Sequence, residues 1–268
     1  MSQATELATD KMIAEKDGAI GWMVFNNPQR RNAVSHEMRL AIIAILDEFA
    51  RDNAIRVIVM KGAGDKAFVS GADISQFEAT RATAEDRKHH GVLSQQVQDR
   101  YASLEKPLIA MIHGFCLGGG LRTALNADIR IAADDAVFGV PAGRLGIAYD
   151  FDSVRKLVEA VGQSRAKEIL FTAKRYTAEE ALRMGLVNQV VPRSELEDTA
   201  REVALTIAQN APLSTRAAKA TVAEVIKDPQ DRNMARSLEL IEACFTSEDY
   251  VEGRRAFTEK RKPTFSGR

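Results

Sequence analysis

The residues that carry chemistry in this chain are mostly glycines. The segment His113-Gly114-Phe115-Cys116-Leu117-Gly118-Gly119-Gly120 follows an apolar run and precedes a helical pattern. Three consecutive glycines at a strand-to-helix junction let the backbone come very close to a ligand. They also leave unpaired N–H groups at a helix start, where partial positive charge collects. Such a place suits an anion, or an oxygen that becomes anionic as a reaction proceeds. A second segment of small residues is Phe68-Val69-Ser70-Gly71-Ala72-Asp73-Ile74. Glycines of this kind also serve as tight packing turns. A dinucleotide-binding Gly-x-Gly-x-x-Gly is not matched, and no Gly-Lys-Ser/Thr follows as a phosphate-binding loop requires.

The elements that must position these loops read as an α/β pattern. Gly21-Trp22-Met23-Val24-Phe25 predicts a strand closed by the turn Asn26-Asn27-Pro28. Ser35 is placed to cap a helix with Glu37 in its first turn. That helix puts Met38, Ala41, Ile42, Ile45, Leu46 and Phe49 on one face. The runs 56–60, 107–112 and 128–132 read as buried strands. Strand–helix alternation over 20–140 argues for an α/β core. Beyond Asp150 the chain reads as mainly helical. Thr177 with Glu180 and Ser194 with Glu197 have capping-box spacing. Asn210 and Pro212 mark another helix start, and Met234, Leu238, Ile241 and Phe245 form a stripe on a further helix. A boundary between 1–204 and 205–268 follows, though no linker marks it.

Composition narrows the function. The 268 residues hold 37 Lys+Arg and 37 Asp+Glu, with a formal net charge of +0. A nucleic-acid partner is not expected, because such proteins show a basic surplus. No apolar run is long enough to span a bilayer, and no signal-peptide core precedes Asp10, so neither a membrane partner nor export is expected and the assignment is cytoplasmic. Two cysteines, Cys116 and Cys244, supply no disulfide framework, and the four histidines show no metal-ligand spacing, so no metal is expected. Cys116 and His113 read as packed residues, and His89-His90 as a solvated helix face over the site.

Several motifs together resemble those of the crotonase superfamily, the enoyl-CoA hydratase/isomerase family. They are Asn27-Pro28, Ser70-Gly71-Ala72-Asp73-Ile74, Gly114 with Gly118-Gly119-Gly120, Asp128, Phe138-Gly139-Val140-Pro141, Leu145-Gly146, and Ala181 to Val187. The ending from Phe257 to Lys262 is similar too, so the likeness runs from about residue 11 to 262. The resemblance implies a spiral of β-β-α turns with a C-terminal helical trimerisation region. It implies a homotrimer or a dimer of trimers. It implies an acyl-CoA thioester substrate, with coenzyme A as part of the substrate and no prosthetic group. By position, the backbone N–H groups of Ala72 and Gly119 would form an oxyanion hole. Ser70, Ala72, Asp73 and Ile74 would lie along coenzyme A, and Lys260 or Lys262 near its phosphates. Two preorganised donors suit the negative charge that a thioester oxygen gains when its α-carbon becomes an enolate; one donor is worth about 2.7–4 kcal/mol.

Hydratases of the family use two glutamates. At the corresponding positions this chain has Arg122 and Ala142. Alanine offers no acid–base group, and arginine stays protonated. Arg122 lies one helical turn past Gly119 and calls for a carboxylate, from the protein or from the substrate. Asp150, four residues after Gly146, sits where some family members carry a catalytic aspartate. Base, nucleophile, partner of Arg122 and helix cap all remain open for it, with Asp152 the more natural cap. Arg144 and Tyr149 flank the same region and line the acyl pocket with Ala142. Isomerisation, C–C lysis, decarboxylation and thioester hydrolysis are each compatible with the hole. A non-catalytic CoA- or RNA-binding homologue and a decayed structural trimer are the alternatives.

Overall fold

The computed structural model describes residues 7, 9–72 and 84–268, with the backbone alone over 84–90. Strands and helices are numbered here in chain order. β1 (Met12–Asp17) and β2 (Ile20–Phe25) form an antiparallel pair around a turn with Gly18 at φ +57°. β3 (Val57–Gly62), β5 (Leu108–Ile112), β7 (Ile129–Ala133) and β10 (Gln189–Val191) continue this sheet in parallel, in the order β1-β2-β3-β5-β7-β10. A second sheet, β4-β6-β8-β9, holds β4 (Ala67–Val69), β6 (Phe115–Leu117), β8 (Val137–Gly139) and β9 (Tyr176–Thr177), with only its last pairing antiparallel.

The repeat is visible in the order of elements. β3 and β4, β5 and β6, and β7 and β8 each place one strand in each sheet. Helices complete the turns: α1 (His36–Arg51) follows β2, α2 (Ala84–Ala102) follows β4, and α3 (Gly119–Ala124) follows β6. This is the β-β-α spiral the resemblance implies. The remaining helices are α4 (Phe151–Thr172, broken at Gly162), α5 (Ala178–Arg183), α6 (Leu196–Ala208), α7 (Pro212–Val225), α8 (Met234–Phe245) and α9 (Glu248–Thr258).

The inner strands β2, β3 and β5 of the long sheet are covered on both faces, so they are nearly continuous apolar runs rather than alternating ones. Ile58 and Met60 of β3 face α1, which buries the predicted six residues Met38, Ala41, Ile42, Ile45, Leu46 and Phe49. Val57 and Val59 face the opposite way, onto Leu196, Ala200, Ala204 and Ala208 of α6. Position 204/205 therefore lies inside a helix packed on the sheet, not in a linker.

Local capping signals divide in an instructive way. Ser35 caps α1 by accepting from Met38 N, and Thr177 with Glu180 forms a complete capping box on α5. The Ser194–Glu197 box does not form: Pro192 starts a 3-10 turn over Arg193–Glu195 that runs directly into α6, so Ser194 is already helical. Glu197 instead meets Lys61 of β3 at 3.2 Å. Asn210 leaves α7 uncapped, with Pro212 at its first position. The stripe Met234, Leu238, Ile241 and Phe245 is exposed on this chain, and α8 buries Ser237 and Leu240 instead.

Candidate functional site

β4 and β6 are adjacent and parallel, so the residues that follow them leave the sheet side by side. Ser70-Gly71-Ala72 follows the first and Gly118-Gly119-Gly120 the second. Their contact is close. A methyl carbon on Gly120 would stand 1.8 Å from the Val69 carbonyl oxygen, and one on Gly119 would stand 3.3 Å from the Ala72 amide nitrogen. Gly71 sits at φ +124°, and Gly118, which precedes α3, at φ +55°. These conformations and distances are the reason for glycine at the junction.

The loop before α1 holds the first segment in place. Asn32 is fully buried; its Oδ1 accepts from Asn27 N, and its Nδ2 donates to Ala63 O and Ala67 O. Ser70 N donates to Arg31 O at 3.0 Å, and Val34 N donates to Gly71 O at 2.8 Å. That pairing does not consume the Ala72 N–H. Gly119 is the first residue of α3, where an amide has no intrahelical acceptor. Among the described residues, neither amide has a hydrogen-bond partner.

Both segments open onto a cavity of about 590 Å³, a size that suits a small-molecule site. Ser70, Ala72, Gly119, Arg122, Ala142, Tyr149 and Asp150 line it. Arg144 is exposed and does not line it, because the 3-10 turn Pro141–Leu145 turns Ala142 inward and Arg144 out. Lys260 and Lys262 follow α9 and are likewise outside the lining. Asp73 and Ile74, and the side chains of His89 and His90, lie outside the described residues.

Asp150 is the only carboxylate lining the cavity among the described residues. It is the N-cap of α4, in place of Asp152: its Oδ1 accepts from Ser153 N at 3.0 Å. The buried Ser153 hydroxyl also donates to this carboxylate, 3.0 Å from Oδ1 and 2.9 Å from Oδ2. The Arg122 guanidinium approaches Oδ2 at 3.4 Å, with side-chain exposures of 22% for Arg122 and 51% for Asp150. Partial burial acts to raise the carboxyl pKa, but the Ser153 bonds and the Arg122 charge outweigh it and hold it below the usual aspartate value. A half-buried pair open to solvent on the Asp150 side, at this distance, is worth little in stability. Its effect is on position: it ties α3 to α4 across the cavity wall.

Arg122 also donates from Nη1 to Ser94 Oγ at 3.1 Å. Ser94 was not among the residues singled out from the sequence, although a signal existed. Ser94, Val97, Gln98 and Tyr101 have the i, i+3, i+4, i+7 spacing of one helix face, and all four line the cavity. The face mixes polar with apolar residues, which hides it from an apolar-periodicity reading. Tyr149 lines the same cavity, its hydroxyl 3.6 Å from where a Gly118 Cβ would be. Burial pushes its phenol up to about 12, with Arg122 acting in the other direction.

The remaining reactive side chains are packed away. Cys116 is fully buried, which raises its thiol pKa, and burial with the nearby Arg193 charge lowers His113 to about 4. No group of His, Cys, Asp and Glu suited to a metal occurs among the described residues, and no helix there is long and apolar enough to cross a membrane.

Comparison with known proteins agrees with this architecture. The sequence profile of the enoyl-CoA hydratase/isomerase family matches residues 15–268. A short-chain-enoyl-CoA hydratase of Clostridium acetobutylicum is 39% identical, over 94% of this chain and 96% of that protein. A crotonyl-CoA hydratase of Syntrophomonas wolfei is 36% identical, over 97% and 99%. The crystal structure of an enoyl-CoA hydratase/carnithine racemase from Magnetospirillum magneticum superposes with a TM-score of 0.92 at 33% identity, covering 97% of each chain. With the profile match, the spiral and the glycine junction in agreement, this chain belongs to the enoyl-CoA hydratase/isomerase family.

Proposed function

We propose that the chain converts an acyl-CoA thioester by stabilising its enolate between the N–H groups of Ala72 and Gly119. The observation that supports this reading most directly is the pair of unpartnered amides, on segments in contact, at the wall of a cavity sized for a small ligand. Coenzyme A enters as part of the substrate, with Ser70 along its path and no prosthetic group required. The acyl end lies against Ala142, Tyr149, Arg122 and Asp150. A carboxylate that holds and activates water is absent at positions 122 and 142, so chemistry other than two-glutamate hydration is favoured. Isomerisation, C–C cleavage and thioester hydrolysis all pass through charge on the same oxygen.

The test is hydration of crotonyl-CoA beside a family member that has both glutamates. The expected rate is lower by about 10²–10⁴-fold, the usual contribution of a positioned acid or base. A comparable rate would refute this assignment of Arg122 and Ala142. The exposed stripe Met234, Leu238, Ile241 and Phe245 supports the further proposal that three copies associate through the C-terminal helices.

A further inference from the structure

The cavity holds a polar group that the proposed function leaves unassigned. Tyr149 follows the turn after Pro141 and immediately precedes the α4 cap, so its backbone is anchored by the Asp150 side chain. Its hydroxyl is beside Gly118, one residue from the Gly119 amide. Among the described residues it makes no hydrogen bond. Tyr149 and Gly119 line the same cavity, so the phenol belongs to the wall that would surround a thioester held at the Gly119 amide. Asp150, in contrast, has both carboxylate oxygens engaged by Ser153, with Arg122 beside Oδ2.

We infer that Tyr149 is the proton-transfer residue at the thioester α-carbon, with Asp150 and Ser153 serving as positioning residues for it. The inference rests on the enolate reading above and names the group that acts there. In the forward step the Tyr149 phenolate, formed by losing its proton to solvent, takes the α-proton. An O–H bond forms and the Cα–H bond breaks. The electron pair moves into the bond between Cα and the carbonyl carbon, and charge passes to the thioester oxygen. In the reverse step the phenol returns a proton to Cα, and the oxygen gives up its charge. No co-reactant is consumed.

The charged or titratable groups around the hydroxyl are Arg122 from α3, Asp150 on its own segment, and Cys116 of β6 behind them; Arg39 of α1 faces the same cavity. Arg122 favours the phenolate, whereas burial, Asp150 and Cys116 oppose it. The phenol is pushed up to about 12. The reactive phenolate is then a minor species near neutrality, and its share grows with every increase in pH.

The experiment is deuterium exchange into the α-position of butyryl-CoA in D2O, followed by mass spectrometry across a pH series. The expected wild-type rate climbs steadily on the alkaline side without a plateau. Tyr149→Phe keeps the ring and loses about 10²–10⁴-fold in rate, while butyryl-CoA binding, measured by calorimetry, is unchanged. A flat pH profile, or a Tyr149→Phe rate equal to wild type, overturns the inference. A flat profile lost in Asp150→Asn would assign the proton to Asp150. If wild type binds butyryl-CoA and exchanges nothing, the enolate reading itself fails and the inference with it.

Discussion

Deleting one amide from the junction separates the oxyanion reading from a mere packing turn. Gly119 is the first residue of α3, where proline is tolerated because the N–H has no helical acceptor. Gly118 stands at φ 55° and ψ −117°, outside the α region that a following proline ring crowds. Gly119→Pro therefore removes the donor while leaving the helix start intact. Its companion is Gly119→Ala, which keeps the donor. Both variants place a Cβ 3.3 Å from Ala72 N and 3.5 Å from Gly71 Cα, so the steric cost is shared. The difference between them reports the loss of the amide together with the ring carbon that takes its place. One hole donor contributes about 2.7–4 kcal/mol, a loss of about 10²–10³ in kcat. The proline Cδ also occupies the place of the lost hydrogen, so KM rises as well. The assay is α-deuterium exchange of butyryl-CoA, with thermal melts showing that both variants fold alike. Equal exchange rates in the two variants would refute the use of Gly119 N–H and leave the glycines as a packing device.

Three further outcomes follow from the geometry. Asp150→Ala removes the α4 cap and should cost about 0.5–2 kcal/mol in urea unfolding, whereas Asp150→Asn keeps a capping oxygen and costs less. Because the Asp150 carboxyl is held below its ordinary value, the charge stabilises the fold above the unfolded pKa. The advantage of wild type over Asp150→Asn should thus be full above about pH 4 and fade as pH falls below it. In solution, light scattering should give the mass of three or six chains; a monomer would leave the apolar stripe on α8 unexplained.

Much of the architecture was legible from the residues alone, because it depends on local spacing. The α1 face, the Ser35 cap and the Thr177–Glu180 box follow from helix periodicity and from amides that need an acceptor, and all three form. The buried strands at 57–62, 108–112 and 129–133 follow from continuous apolar runs. The glycine junction was legible as a place for close approach, since only glycine tolerates the contact that Gly120 makes with the Val69 carbonyl oxygen. Where a neighbour decided the outcome, local spacing failed. Ser194 has a cap's spacing, but a 3-10 turn arriving from Pro192 had already enclosed it. Arg122, Ser94 and Asp150 are separated by dozens of residues, and their meeting is set by how α2, α3 and α4 pack around one cavity. Sequence spacing specifies which groups a single element presents together. Only the tertiary packing of several elements decides which of those groups share a site, because distances between elements depend on every side chain buried among them.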